Sequence, residues 1–213
     1  MSNLLTDWVF HLDAHLAALA AGHGSMVYAL MFGFIFVETG VVVLPFLPGD
    51  SLLFVAGTLA AKGAFSLPVL APTLMAAAIA GDTLNFAIGS VMRKHVLEPD
   101  RIRFVKPAYL ERTRKFFDRH GRKTIVLARF VPVVRTLAPF VAALGKMPYP
   151  AFLAYNVVGG LAWVGILLGA GHLFGHLPWV SRHLTAVILG IVALSILPGV
   201  IGWARGRTRR ARR

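Results

Sequence analysis

Apolar runs of bilayer length dominate this chain: residues 26–60, 68–92, 124–146, 150–176 and 184–204 carry few charges. A hydrocarbon core about 30 Å thick is spanned by roughly 20 helical residues, so such runs are read as membrane segments. Hydrophobic residues make up 57% of the sequence and charged residues 15%, and the mean hydropathy is +0.70. A soluble domain of 213 residues needs more polar surface to cover its core. The composition predicts one all-α polytopic membrane domain over residues 24–204 and argues against a soluble enzyme.

Charge placement sets orientation. The net charge is +13, with eleven Lys/Arg against four acids from Arg93 to Lys123 and six Arg with no acid from Arg205 to Arg213. Both clusters flank apolar runs and read as cytoplasmic under the positive-inside rule. The C-terminus is therefore expected inside, and the short loop near Pro178 outside. The 205–213 tail directly follows a membrane-length run, which favours an anionic lipid surface over nucleic acid as its partner. Within the first cluster, Tyr109, Thr113, Phe116 and Phe117 share one face of a helix expected between Pro107 and Gly121. It either rests on the membrane surface or is an ordinary solvated helix. Residues 1–22 place Leu5, Trp8, Leu12, Leu16 and Leu19 at helical spacing without the basic start of a cleaved signal. An interfacial amphipathic helix or a cap on the bundle fits them equally.

Two apolar runs are broken. Pro45-Phe46-Leu47-Pro48-Gly49-Asp50 interrupts the first; Pro132 and Pro139 interrupt the run at 124–146. Each proline removes an amide donor, and irregular backbone at membrane depth survives only inside protein or along a cavity. Re-entrant hairpins are expected at about 38–62 and 124–146, each followed by a spanning helix. Pro45, Pro48, Gly49, Pro132 and Pro139 are the expected hairpin breakers. The order broken segment then span occurs twice, as in transporters built from inverted repeats, and a last span is expected at 184–204.

Glu38, Asp50, Asp82, Arg129 and Arg135 lie within or beside these runs. A charge at the bilayer centre costs about 2.5–3.5 kcal/mol, so such residues are paired or functional. Arginine keeps its charge and grips phosphate with a planar fork, which makes Arg129 and Arg135 candidate anion-binding residues. On a continuous helix they would point apart; the break at Pro132 allows them to converge. A carboxylate withdrawn from water exchanges protons closer to neutral pH, which makes Glu38 and Asp50 candidate proton carriers. Half-helix N-termini add partial positive charge for an anion. Asp82, with Asn85 one turn on, either lines the same cavity or hydrogen-bonds a neighbouring helix. A purely structural salt-bridge cluster is the competing account of all five.

His172 and His176 have the spacing of zinc ligands, but no acid follows Asp118 and the chain has no cysteine. No metal and no cofactor are expected. Gly159-Gly160, Gly165 and Gly169 read as close helix-packing positions.

Glu38 with Leu44-Pro45-Phe46-Leu47-Pro48-Gly49-Asp50, and then Arg129-Phe130-Val131-Pro132-Val133-Val134-Arg135-Thr136, resemble the two signatures of the DedA (VTT, SNARE-associated-type) family. Gly81-Asp82, Gly145-Lys146-Met147, Phe152, Asn156, Gly159 and Trp163 extend the resemblance across residues 24–176. It implies a multi-pass protein of the bacterial inner membrane, related to eukaryotic phospholipid scramblases. It further implies transport linked to the proton motive force, in some members of undecaprenyl phosphate. Glu38 and Asp50 match the family's essential acids, and Arg129 and Arg135 its essential arginines. Asn156 joins Asp82 as a possible cavity-lining residue.

The leading expectation is a proton-linked flippase whose partners are protons and a polyprenyl phosphate or phospholipid. A phospholipid scramblase and a proton-coupled cation antiporter are the alternatives; the arginine pair disfavours the antiporter because it repels cations. A lipid phosphatase is disfavoured because Phe130, not proline, follows Arg129 and no acid follows His183 to orient it as a base.

Overall fold

The computed structural model describes residues 24–41, 49–96, 121, 123–183 and 185–191, and these are helix and turn with no strand among them. The helices are α1 (Met26–Gly40), α2 (Gly49–Ala61), α3 (Leu67–Val96), α4 (Thr124–Ala128), α5 (Pro132–Leu144), α6 (Tyr149–Phe174) and α7 (Pro178–Arg182). Residues 67–93 of α3 and all of α6 are long and apolar enough to cross a membrane. Large apolar side chains stand exposed along both, among them Val69, Val91, Val158, Ile166 and Leu173. In water that pattern would be a liability; in lipid it is the expected outer face. The chain divides into two compact units whose boundaries fall inside α1, α3 and α6.

Residues 24–34, 49–74 and 164–191 belong to one unit. Its centre is α2, buried on every side from Ser51 to Ala60. Small residues allow that burial. A Cβ on Gly57 would collide with the Leu168 carbonyl oxygen and stand 2.9 Å from the His172 amide nitrogen; one on Gly171 would collide with the Phe54 carbonyl oxygen. Where lipid tails are as apolar as leucine, such close backbone approach is a main source of helix association. The Thr58 hydroxyl adds a polar tie, 3.1 Å from Phe54 O and 3.3 Å from Gly171 O. After α2 the chain turns on Gly63, at φ +81°, with Ala64 N–H donating to Leu59 O and Gly63 N–H to Ala60 O. This is the Schellman arrangement, in which a residue in the left-handed region satisfies carbonyls at the helix end. The Tyr28 hydroxyl then accepts from Ser66 N–H at 2.9 Å, where α3 begins.

Residues 35–41, 75–96 and 123–163 belong to the other unit. Its apolar core joins Phe86, Ile125, Ala128, Ala138, Ala142, Ala143 and Phe152, with Phe86 and Phe152 stacked at 4.3 Å. Here α5 packs on α3 through Gly89, where an added Cβ would stand 2.7 Å from Phe140 O. Arg93 Nη1 donates to Ala143 O at 3.1 Å, near the end of α5. A second Schellman turn follows: Met147 N–H donates to Ala142 O and Lys146 N–H to Ala143 O. The left-handed position is taken by Lys146, at φ +60°, and not by the adjacent Gly145.

The break in the 124–146 run falls at residues 129–131. Proline 132 has no amide for the Ala128 carbonyl, which accepts instead from Val131 N–H at 3.0 Å. Val131 is extended, φ −118° and ψ 105°, as a residue before proline prefers, and Pro132 opens α5. Pro139 was expected to break this segment and does not. It lies inside α5, which continues to Leu144. A proline costs a helix one amide bond, and inside a membrane protein packing by neighbours lets the helix continue past it. Gly49 likewise is the first residue of α2 and not part of a break. Pro45 and Pro48 lie outside the described residues. So do the expected helices at 1–22 and 107–121, the tail at 205–213 and most of the last span, of which residues 185–191 are helical.

Candidate functional site: two buried ion pairs

Among the described residues, the buried charges lie in the second unit. Glu38 sits in the last turn of α1, Asp82 in the middle of α3, Arg129 at the end of α4 and Arg135 near the start of α5; all are buried. Glycine brings their helices close. A Cβ on Gly81 of α3 would collide with Thr39 Oγ1 and stand 2.7 Å from Phe36 O, so α1 and α3 cross next to both acids.

Arg135 Nη2 donates to Glu38 Oε1 at 2.6 Å. Arg129 Nη2 donates to Asp82 Oδ2, closing a second ion pair. Arg129 has further anchors: Nη2 donates to Ala78 O at 3.1 Å and Nη1 to Asn156 O at 3.3 Å. Both carbonyls belong to the helices that flank it, α3 and α6. Both guanidinium groups lie over the Trp163 ring, with Cζ 4.6 Å (Arg135) and 5.7 Å (Arg129) from its centroid. A desolvated cation–π contact of this kind contributes about 2 kcal/mol. The break at residues 129–131 thus leaves two arginines, one at the end of α4 and one near the start of α5, both against the Trp163 ring.

Amide side chains lace the surroundings. Asn85 Nδ2 donates to Thr39 O at 3.2 Å and to Thr136 O at 2.8 Å, tying the end of α1 to α5. Thr39 O is among the last carbonyls of α1, which an ending helix leaves without an intrahelical donor. Asn156 Nδ2 donates to Ile79 O at 3.0 Å. At Gly160 α6 comes close enough that a Cβ would stand 2.6 Å from Arg129 Nη1 and 2.9 Å from Ile79 Cγ1.

Of the expected site residues, Glu38, Asp82, Arg129, Arg135 and Asn156 meet in this unit. Asp50 belongs to the other unit, in the first turn of α2, where a carboxylate suits the helix N-terminus. Asp82 does hydrogen-bond across helices, and its partner is Arg129. Gly160 and Asn85 shape the site more than their letters suggest. The signal was a polar stripe on α6: Asn156, Gly159, Gly160 and Trp163 recur at helical spacing on one side of an otherwise apolar helix. His172 and His176 stand ring to ring at 5.9 Å, and among the described residues no group of three His, Asp or Glu side chains could hold a metal.

Membrane-length helices around a buried core of paired charges define a helical membrane protein. The VTT-domain family profile matches residues 44–173. Protein DedA of Escherichia coli K12 is 48% identical over 210 residues, covering 98% of this chain and 96% of that one. A membrane protein of Mycobacterium tuberculosis H37Rv is 39% identical over 192 residues (89% and 83%). Inner membrane protein YghB of Escherichia coli K12 is 36% identical over 182 residues (84% and 83%). The chain therefore belongs to the DedA family of VTT-domain membrane proteins. No solved structure matches it.

Proposed function

We propose that this protein is a transporter that moves a phosphorylated lipid carrier, undecaprenyl phosphate or a close relative, between leaflets, driven by the proton motive force. The observation that carries this reading is the pair of buried arginines, Arg129 and Arg135, each matched by a carboxylate and each set against the Trp163 ring. Two fixed positive charges suit a phosphate headgroup and repel a cation, while the apolar exterior keeps the tail in lipid. Carboxylates that lose their arginine to the phosphate are then free to take up protons, which links cargo to the gradient. Glu38 is one such group, and Asp50, at the start of α2, is the other candidate proton carrier.

The finer architecture belongs to the same proposal. The order α1, α2, α3 then α4, α5, α6 is short, short, long in both halves. Its two short members are read as re-entrant hairpins, and the halves as an inverted repeat. Both basic clusters face the cytoplasm, and the protein resides in the bacterial inner membrane, as the name of its relative YghB suggests.

The test is reconstitution with labelled undecaprenyl phosphate, following leaflet exchange with and without a pH gradient. Wild type is expected to exchange the lipid faster with the gradient. Arg129→Lys and Glu38→Gln are each expected to lose exchange while remaining folded in the membrane. Wild-type flux from either variant refutes the role given to that residue. Exchange indifferent to the gradient makes the protein a scramblase, and ion flux without any lipid phosphate makes it an antiporter.

A further inference from the structure

The Arg129–Asp82 pair is only half made. Asp82 Oδ2 is bonded, but Asp82 Oδ1 and Arg129 Nε are both buried and have no hydrogen-bond partner among the described residues. Two formally complementary groups thus meet at one point, although a carboxylate and a guanidinium side by side can form a two-bond fork. A buried polar atom left over in this way calls for an explanation in function.

Arg129 does not depend on Asp82 for its position. The carbonyls of Ala78 and Asn156 hold its two terminal nitrogens, and Gly160 closes the far side without a side chain. Withdraw the carboxylate and the guanidinium stays aimed at the same place. Asp82 is thus the removable member of the pair, and the arginine is the fixed one. The charged groups that act on Asp82 are Arg129, at the end of α4, and Arg135, on α5; Arg135 is in turn paired with Glu38 of α1. Its neighbours Asn156 and Thr83 are neutral.

We infer that Asp82 is an internal stand-in for the cargo: in the empty protein its carboxylate occupies Arg129, and a lipid phosphate displaces it from that arginine. Charge balance follows from the exchange. The bound carboxylate leaves as a neutral acid carrying one proton taken from solution, and the phosphate oxygen takes its place on Arg129. One proton is bound for each phosphate loaded, and the reverse exchange releases both. This rests on the transport reading above and assigns its proton to a residue outside the two family signatures.

The test measures binding of farnesyl phosphate to the detergent-solubilised full chain across pH 6 to 8, in wild type and Asp82→Asn. The ligand's own titration is common to both proteins and cancels in the comparison. The dissociation constant of wild type is expected to rise with pH about tenfold per unit more steeply than that of Asp82→Asn, the signature of one linked proton. At the upper end of the range the variant, freed of the competitor, binds at least about tenfold tighter than wild type. Parallel pH dependences with equal affinities overturn the inference and leave the transport reading intact. Absence of binding in wild type at every pH overturns both. Should Asp82→Asn fail to fold, the infrared difference spectrum of wild type on adding ligand decides. A protonated-carboxyl band that shifts on 13C labelling of aspartate, and no longer shifts so in Asp82→Glu, supports the inference. No such band overturns it.

Discussion

The helices α2 and α5 each stand just before a long helix in the chain, and they differ in what they carry. Each is 13 residues long, each packs against glycine on a long helix, and each ends in a Schellman turn. The first is buried on all sides and turns on a glycine. The second carries Arg135 in its early turns, contains Pro139, exposes Val134 and Leu137, and turns on a lysine. One frame has been filled for packing and the other for charge. The unit that holds α5 carries two buried ion pairs and a lysine held at positive φ. Residues that look like defects by local rules mark the unit that holds the buried ion pairs.

The sharpest way to break the comparison is through the ion pair of the charged half. Glu38→Met removes the carboxylate to which Arg135 donates and is expected to destabilise the protein by about 3–5 kcal/mol. The double variant Glu38→Met/Arg135→Met should recover most of that loss, since no lone charge stays buried. Unfolding in mixed micelles measures both. A double variant no more stable than the single one would show that the pair itself, not the orphaned charge, matters. Glu38→Gln keeps the shape and an acceptor for Arg135 and is expected to cost much less.

The packing half answers to volume instead. Gly57→Ala and Gly171→Ala drive a methyl group into opposing main chain, and each is expected to cost about 1–3 kcal/mol. Thermal unfolding checks this; equal or raised stability would mean that α2 and α6 have room to separate.

The smallest effect tests the two turns against each other. Lys146→Gly relieves a side chain held at positive φ and is expected to stabilise by about 0.5–1 kcal/mol. Gly63→Ala introduces that strain in the other half and should destabilise by about 1 kcal/mol. Opposite shifts in melting temperature sharpen the comparison, and shifts of one sign contradict it.

Much of this was legible in the residues. Of the five ionisable side chains in apolar runs, Glu38, Asp82, Arg129 and Arg135 form a charged core while Asp50 lies in the other unit, and Pro132 announced the break between the two arginines. Pro139 misled, because a proline inside a well-packed membrane helix has the same letter as one that ends it. Partner choice was not legible either. Whether Asp82 meets Arg129 depends on how α3, α4 and α6 cross, and glycines set those crossings through distances between segments remote in sequence. The left-handed turn after α5 falls on Lys146 although Gly145 stands beside it. That outcome follows from where the helix runs out of ladder, which no single residue states.

The anchoring of Arg129 by the main chain of α3 and α6 has a consequence for how this site can drift. Main-chain carbonyls are the same whatever residue bears them, so exchanging Ala78 or the amide head of Asn156 leaves those two acceptors standing. The cation thus keeps those two bonds whatever side chain stands at either position. Its acidic companion has no such protection.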